Sequence, residues 1–498
     1  MKQTVIIFIL LLCPFMLFAQ WTQLGNDIDG EATNDQSGFA ISLSADGNTV
    51  VVGAPFNAEA GSASGHVRVY ENNSNVWQQK GNDINGVAVS DKFGFSVNIS
   101  ADGNTIAVGA PDNNGNGFES GHVRVFEFQG GAWAQIGGNI NGEAYSDHSG
   151  YSISLSPDGN RVAIGAPDNG LVEDIGSNFG QVRVYENQSG NWVQIGSDID
   201  GENPEDNSGY AVSLNQDGSV VAIGAPNNSN ATVGSGQVRV YVYQTDNWVQ
   251  IGDDIDGEAE NDKFGGAVSL NNAGNILAVG AIDNNSIGHV RVFENQSNNW
   301  VQIGNDIDGE DVGDNFGVSV SLNADGSILA VGADHNSGFA DQAGHVRIYK
   351  NQQGNWQQID SDIDGEALED RSGHSVSLSD DGSVVAIGAY LNDGINGIYS
   401  GHVRVFSNTN VLGIKTIYSD VQSIVYPIPA TDKIHIDLEK NIPRFKIQIY
   451  NIKGELLYLQ DYKNSNYVTI NTSSFSKGIY VLKLQLDETY KTVKVVKQ

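Results

Sequence analysis

The chain has 498 residues, of which 39% are hydrophobic, with 60 glycines, 10 prolines and a formal charge of −34. That composition excludes a disordered chain and suits a β-rich globular one with many turns. The acidic excess lies between residues 20 and 410, where 13 basic face 52 acidic side chains, and it argues against nucleic acid or anionic lipid as partners.

Taken in chain order, the first element is a leader. Lys2 precedes an almost wholly apolar run from Val5 to Phe18, and the small residue Ala19 follows. Residues 1–19 therefore read as a cleaved secretory signal peptide, too short and wrongly flanked for a membrane span. The only cysteine, Cys13, lies inside it, so the mature chain is expected to have neither disulfides nor thiol chemistry. No other stretch approaches the roughly 18 apolar residues a spanning helix needs, and no membrane insertion is expected.

Residues 20–408 are repetitive. Trp21, Trp77, Trp133, Trp192, Trp248, Trp300 and Trp356 mark seven copies of one unit, 52 to 59 residues apart. In the second copy, Phe93 to Ile99 alternates toward a hairpin at Asp102-Gly103, and Thr105 to Ala110 is a nearly continuous apolar run. Gly121 to Phe126 alternates again, and a fourth strand starts at Trp133. Nothing shows a helical period. The first copy begins with what should be a last strand, and the seventh ends near Phe406 with only three. This permutation predicts an all-β, seven-bladed β-propeller of four-stranded blades, closed by pairing of the N-terminal strand onto the final sheet.

The repeat resembles the FG-GAP repeats of integrin-α-like propellers. Phe93-Gly94, Phe264-Gly265 and Phe316-Gly317 carry the first half of the motif, with Gly38, Gly150, Gly209 and Gly373 preceded by serine elsewhere. Gly53-Ala54-Pro55, Gly109-Ala110-Pro111, Gly165-Ala166-Pro167 and Gly224-Ala225-Pro226 carry the second, and Gly280, Gly332 and Gly388 keep Gly-Ala without proline. Such repeats often bind calcium in an Asp-rich loop between the first two strands. Here that loop has shrunk to turns such as Ala101 to Asn104, so no cofactor is expected, with calcium kept as an alternative.

Three sets of polar residues recur. Asp35, Asp91, Asp147, Asp206, Asp262, Asp314 and Asp370 follow the link between units and are expected to close turns rather than bind a cation. Arg68, Arg124, Arg183, Arg239, Arg291, Arg347 and Arg404 share one strand position, where an unpaired charge would be costly, and each is expected to pair with a carboxylate of the interblade segment. His66, His122, His289, His345 and His402 precede five of those arginines by two, with Gln181 and Gln237 in the other copies, which favours hydrogen bonding over metal or base chemistry. His148, His335 and His374 are irregular and could decorate one face. No copy shows an evident break in symmetry, so no catalytic, cofactor-binding or metal residue is assigned. Variable loops between the second and third strands, with Phe118, Phe179, Phe339 and Tyr399, suit glycan or protein contact.

Residues 409–422 read as a linker. In 423–498, strands are expected at Lys433 to Leu438, Phe445 to Tyr450, Glu455 to Gln460, Tyr467 to Ile470, Ile479 to Gln485 and Thr489 to Val496, forming a small antiparallel β-sandwich. The segment resembles the type A sorting domain of the type IX secretion system. Tyr426-Pro427-Ile428-Pro429-Ala430, Ile449-Tyr450-Asn451, Lys477-Gly478-Ile479-Tyr480 and the basic end Lys491 to Lys497 carry the likeness. It implies the secretion machinery and a sortase as partners, and a secreted or cell-surface location.

The leading expectation is a monomeric, non-enzymatic binding or adhesion protein whose ligand, a glycan or a protein, meets the variable loops. The alternatives are a polysaccharide-active enzyme (glycosidase or lyase) and a structural surface-layer protein.

Overall fold

The computed structural model describes residues 21–170, 177–408, 423–426, 432–451, 456–473, 475–486 and 489–497. The expected signal peptide, the linker 409–422 and most of the Tyr-Pro opening of the sorting segment lie outside them. The chain divides into two compact units, Met1–Asn408 and Thr409–Gln498.

The first unit is built from one local plan. In the second sheet, Ser96–Ile99, Thr105–Ala110, His122–Gln129 and Ala132–Gln135 pair antiparallel in sequence order, as the hairpin turns dictate. A fifth, two-residue strand, Ile140–Asn141, covers the part of His122–Gln129 that the Trp133 strand leaves free. Sequence reading took this Asp-Ile-Asp or Asn-Ile-Asn segment for a linker; it is a strand because its isoleucine is buried and its backbone completes the edge. The central strands, such as Thr105–Ala110, are buried almost throughout, which accounts for their unbroken apolar run. Among the described residues the only helical element is the 3-10 turn Asn284–Ser286, and no helix is long and apolar enough to cross a membrane.

The expected seven-bladed β-propeller closed by its N-terminal strand is corrected by the pairing. The repeat region forms seven separate sheets of five strands each, not four. Thr22–Gln23 and Ile28–Asp29 both pair with His402–Ser407, so the N-terminal segment completes one sheet, and no backbone ladder closes the seven into a propeller. Neighbouring sheets are joined by side chains and single bridges. The indole of Trp133 donates to the Lys80 carbonyl at 2.6 Å, and Trp77, Trp192, Trp248, Trp300 and Trp356 repeat this bond to the preceding unit. The Ser42 hydroxyl accepts from the Ile99 N–H, and Ser377 does the same for Leu43. Parallel bridges such as Gly121 to Ser149 add to these.

The FG-GAP signature has a steric origin. A Cβ on Gly109 would lie 2.1 Å from the Gly150 carbonyl oxygen of the next unit, and one on Gly224 would lie 2.0 Å from that of Gly265. Gly150 and Gly265 in turn adopt φ of +90° and +91°, which only glycine accepts without strain. Each pair lets two sheets approach to backbone contact.

The expected C-terminal sandwich is also corrected. Ser423–Tyr426, Lys433–Asn451, Leu456–Asn471, Gly478–Leu486 and Thr489–Lys497 make one curled five-stranded sheet. Four of the expected strands merge into two long ones because pairing continues through a register shift between Asp437 and Ile442 instead of ending there. The curl encloses Ile434, Phe445, Ile447, Val468 and Leu482.

Candidate functional site

The recurrent polar residues fall largely into structural roles. Asp35 accepts from the Ala32 N–H at 3.0 Å and from Asn57 at 2.9 Å, closing its turn, and Asp206, Asp314 and Asp370 repeat the pattern. The strand arginines are buried, and six of the seven meet the glutamate that follows the Asp-Ile-Asp or Asn-Ile-Asn segment: Glu31, Glu143, Glu202, Glu258, Glu310 and Glu366. Several also donate to a backbone carbonyl of the adjoining sheet, as Arg291 does to Asp256 at 2.6 Å. Arg124, with Val87 where others have glutamate, instead bonds the Asn85 carbonyl and lies 4.5 Å from the Phe93 ring.

The hairpin between the first two strands does not suit calcium. Asp102 spends its oxygens on the Ser100 hydroxyl and on the Asn104 N–H and amide, leaving no oxygen cage. Clusters that could coordinate a metal ion occur elsewhere, around the buried histidines. Glu31, Glu59, His66 and Asp83 form one; Asp27, Asp29 and His402, then Glu258, His289 and Asp306, then Glu310, His345 and Asp362 form others. Burial, reinforced by Arg124, pushes the His122 imidazole down to about 4, and burial likewise lowers His66, His289 and His345. Burial thus favours the uncharged form of each of these rings.

Symmetry breaks where two variable positions meet. One follows the turn aspartate: Gln36, Lys92, His148, Asn207, Lys263, Asn315 and Arg371, all with φ between 51° and 60°. The other follows Gly-Ala-Pro: Phe56, Asp112, Asp168, Asn227, Asp283, His335 and Leu391. Their side chains connect both within a unit and from one unit to the next. Lys92 meets Asp112 at 2.7 Å, His148 Nδ1 meets Asp168 at 2.8 Å, and Asn207 donates to Asp168 at 2.9 Å. Asn227 donates to Asn207 at 2.6 Å, and Lys263 reaches Asn227 at 2.5 Å.

Beside this polar track runs a belt of rings at the residue after the Phe-Gly or Ser-Gly glycine. Phe39, Phe95, Tyr151 and Tyr210 follow one another with centroids 4.9 to 5.0 Å apart. The belt stops at Gly266, where the next ring would stand, and a pocket of about 330 Å³ opens there. Tyr151, Tyr210, Asp168, Asn207, Lys263 and Asp283 are among its lining residues.

A second break lies at Asp334, which replaces the motif proline. Its buried carboxylate holds His335 Nδ1 at 2.7 Å and His374 Nδ1 at 3.0 Å, while His374 packs between Phe39 and Tyr390. Burial opposes ionisation of Asp334, but the hydrogen bonds from His335 and His374 outweigh it and hold the carboxyl far below the usual range. Two irregular histidines are thus brought to one carboxylate, which sequence reading did not foresee. The signal was present in the departure from Gly-Ala-Pro at that copy.

His148 makes the pH behaviour testable. Its hydrogen bond to Asp168 raises its pKa above the ordinary value, against the opposing effect of burial. A raised folded pKa contributes stability that is complete below the unfolded value and lost as pH rises through the folded one. The substitution His148→Asn, mimicking Asn207 and Asn315 at the same backbone conformation, should flatten the decline in urea stability as pH rises above about 6.5. Equal slopes for both proteins would refute this account of the pair.

Residues 424–498 match the secretion system C-terminal sorting domain, and residues 85–126 match the FG-GAP repeat. No curated protein matches the chain. Among solved structures, a candidate 6-phosphogluconolactonase of Bacteroides fragilis shares 14% identity over 71% of this chain and 97% of its own, with a TM-score of 0.47. The Pseudomonas aeruginosa periplasmic gluconolactonase shares 14% over 70% and 98%, with a TM-score of 0.46. A further candidate 6-phosphogluconolactonase, of Bacteroides uniformis, shares 12% over 66% and 86%, with a TM-score of 0.47. The expectation that the chain is no enzyme is withdrawn on this finding, since the folds it matches are described as those of enzymes. Likeness at this level carries no lactonase chemistry over to this chain. An FG-GAP repeat segment and a C-terminal secretion-system sorting domain are both present, and the protein is exported to the cell surface or beyond by the type IX secretion system.

Proposed function

We propose that the exported protein engages an extracellular carbohydrate in the pocket beside Gly266. The interrupted aromatic belt carries this reading. Tyr210, 38% exposed, offers a ring face for the apolar side of a sugar, while Asp168, Asn207, Asn227, Lys263 and Asp283 offer donors and acceptors to hydroxyls. Aromatic and proline walls set among convergent polar groups give the pocket features of a small-ligand site. The acidic surface favours a neutral or amino sugar over an acidic one.

The pairing of His148 with Asp168 at the pocket wall favours a second reading, a polysaccharide-active enzyme. A protonatable imidazole beside a carboxylate is suited to general acid–base work on a bound glycan. Under either reading, the sortase is the partner expected to remove the sorting domain, and the propeller-like unit works as a monomer.

A glycan array with the full chain should yield a ligand whose affinity falls at least about tenfold in Tyr210→Ala and in Asp168→Asn, equivalent to about 1.4 kcal/mol. Product analysis of the bound glycan then separates the readings, since cleavage marks an enzyme. Undiminished binding in both folded variants would remove the pocket from consideration.

A further inference from the structure

The geometry points to a divalent transition-metal site at Glu31, Glu59, His66 and Asp83, on the first complete sheet. One ligand atom from each of the four side chains lies within 4.8 Å of the others. Exposed carboxylates gather for many reasons, and the histidine is what distinguishes this group. His66 is 2% exposed, its Nδ1 makes no hydrogen bond, and that atom lies 3.9 Å from Glu31 Oε2. A buried ring nitrogen left without a partner is costly, and a metal ion among these carboxylates would satisfy it.

Charge supports the same occupant. Three carboxylates meet one guanidinium, that of Arg68, which lies 2.6 Å from Glu31 and 3.7 Å from Asp83. The remaining charge of −2 matches a divalent cation. One imidazole with carboxylates suits zinc or manganese, whereas calcium takes six to eight oxygens.

The site is peculiar to this copy. Asn57, Asn113, Asn336 and Asn392 hold one loop position, and two residues on stand Glu59, Gly115, Gly338 and Gly394. Only the first copy places a carboxylate there. The Glu310, His345 and Asp362 group lacks that fourth ligand, and its aspartate is held closer by the arginine, Asp362 lying 3.0 Å from Arg347 where Asp83 lies 3.7 Å from Arg68. The second copy has Val87, Gly115 and Asn139 where the first has Glu31, Glu59 and Asp83, so His122 is an internal control.

The repeats also supply substitutions that the fold accepts: glutamine stands at the His66 position in Gln181 and Gln237. Untagged full chain, stripped with chelator, should bind zinc chloride in calorimetry and gain melting temperature, with calcium chloride giving neither effect. His66→Gln and Glu59→Gly should each weaken the tightest zinc event at least tenfold, and His122→Gln should leave it unchanged. Wild-type zinc affinity in both first-copy variants overturns the assignment. So does an equal response to calcium, or no binding by the wild type.

Discussion

Gly224→Ala should destabilise the repeat unit by at least about 3 kcal/mol, although it adds a single methyl group. The new Cβ would meet the Gly265 carbonyl oxygen at 2.0 Å, the Gly265 carbonyl carbon at 2.9 Å and its Cα at 3.2 Å. These are backbone atoms of the adjoining sheet, so no rotamer change relieves the contact. Separating the sheets would in turn strain the bonds that span them, including that from the Arg291 guanidinium to the Asp256 carbonyl at 2.6 Å. Gly138→Ala is the matching control, because nothing lies within 4 Å of its added Cβ and its backbone carries no positive φ. Urea denaturation of the two variants beside the parent chain measures the difference. Equal midpoints for Gly224→Ala and Gly138→Ala would mean that the sheets do not meet at backbone contact.

Phe264→Ala should cost about 3–5 kcal/mol, the usual range for removing a buried aromatic side chain from a packed core. Phe264 is fully buried. It packs among Val238, Val240, Ile255, Leu277 and Val279, and lies edge-on to Phe293 at 6.1 Å. The Arg291 guanidinium sits 4.2 Å from its centroid, so the ring also shields a buried charge. Removing it leaves both a cavity and a less well-packed cation. Phe264→Leu should recover more than half of the loss, as it restores most of the volume. A drop of under about 1 kcal/mol for the alanine variant would show that neighbouring side chains collapse into the space, contrary to the packing described.

Much of the local structure was legible in the residues. Hairpins at Asp102-Gly103 and its equivalents, the apolar central strands and the pairing of Thr22–Gln23 with the last sheet all follow from spacing and turn chemistry. The fifth strand of each sheet was not legible, since two residues such as Ile140–Asn141 carry no period. The curled C-terminal sheet was misread because a strand that continues through a bulge has the same alternation as two strands separated by a turn. The arginines were expected to find carboxylates, but the choice of the glutamate and of a carbonyl in the next sheet depends on how far apart the sheets stand.

The repeat, its sevenfold count, the export signal at the C terminus and the identity of the variable positions were determined by the sequence alone, because each is a matter of local residue pattern. Which of those positions meet was decided only by tertiary structure. Asp168 and Asn207 are 39 residues apart, and Asp334 and His374 are 40 apart, yet each pair is in contact. Stacking sheets at backbone distance converts unrelated loop residues into neighbours, and no one-dimensional period encodes that.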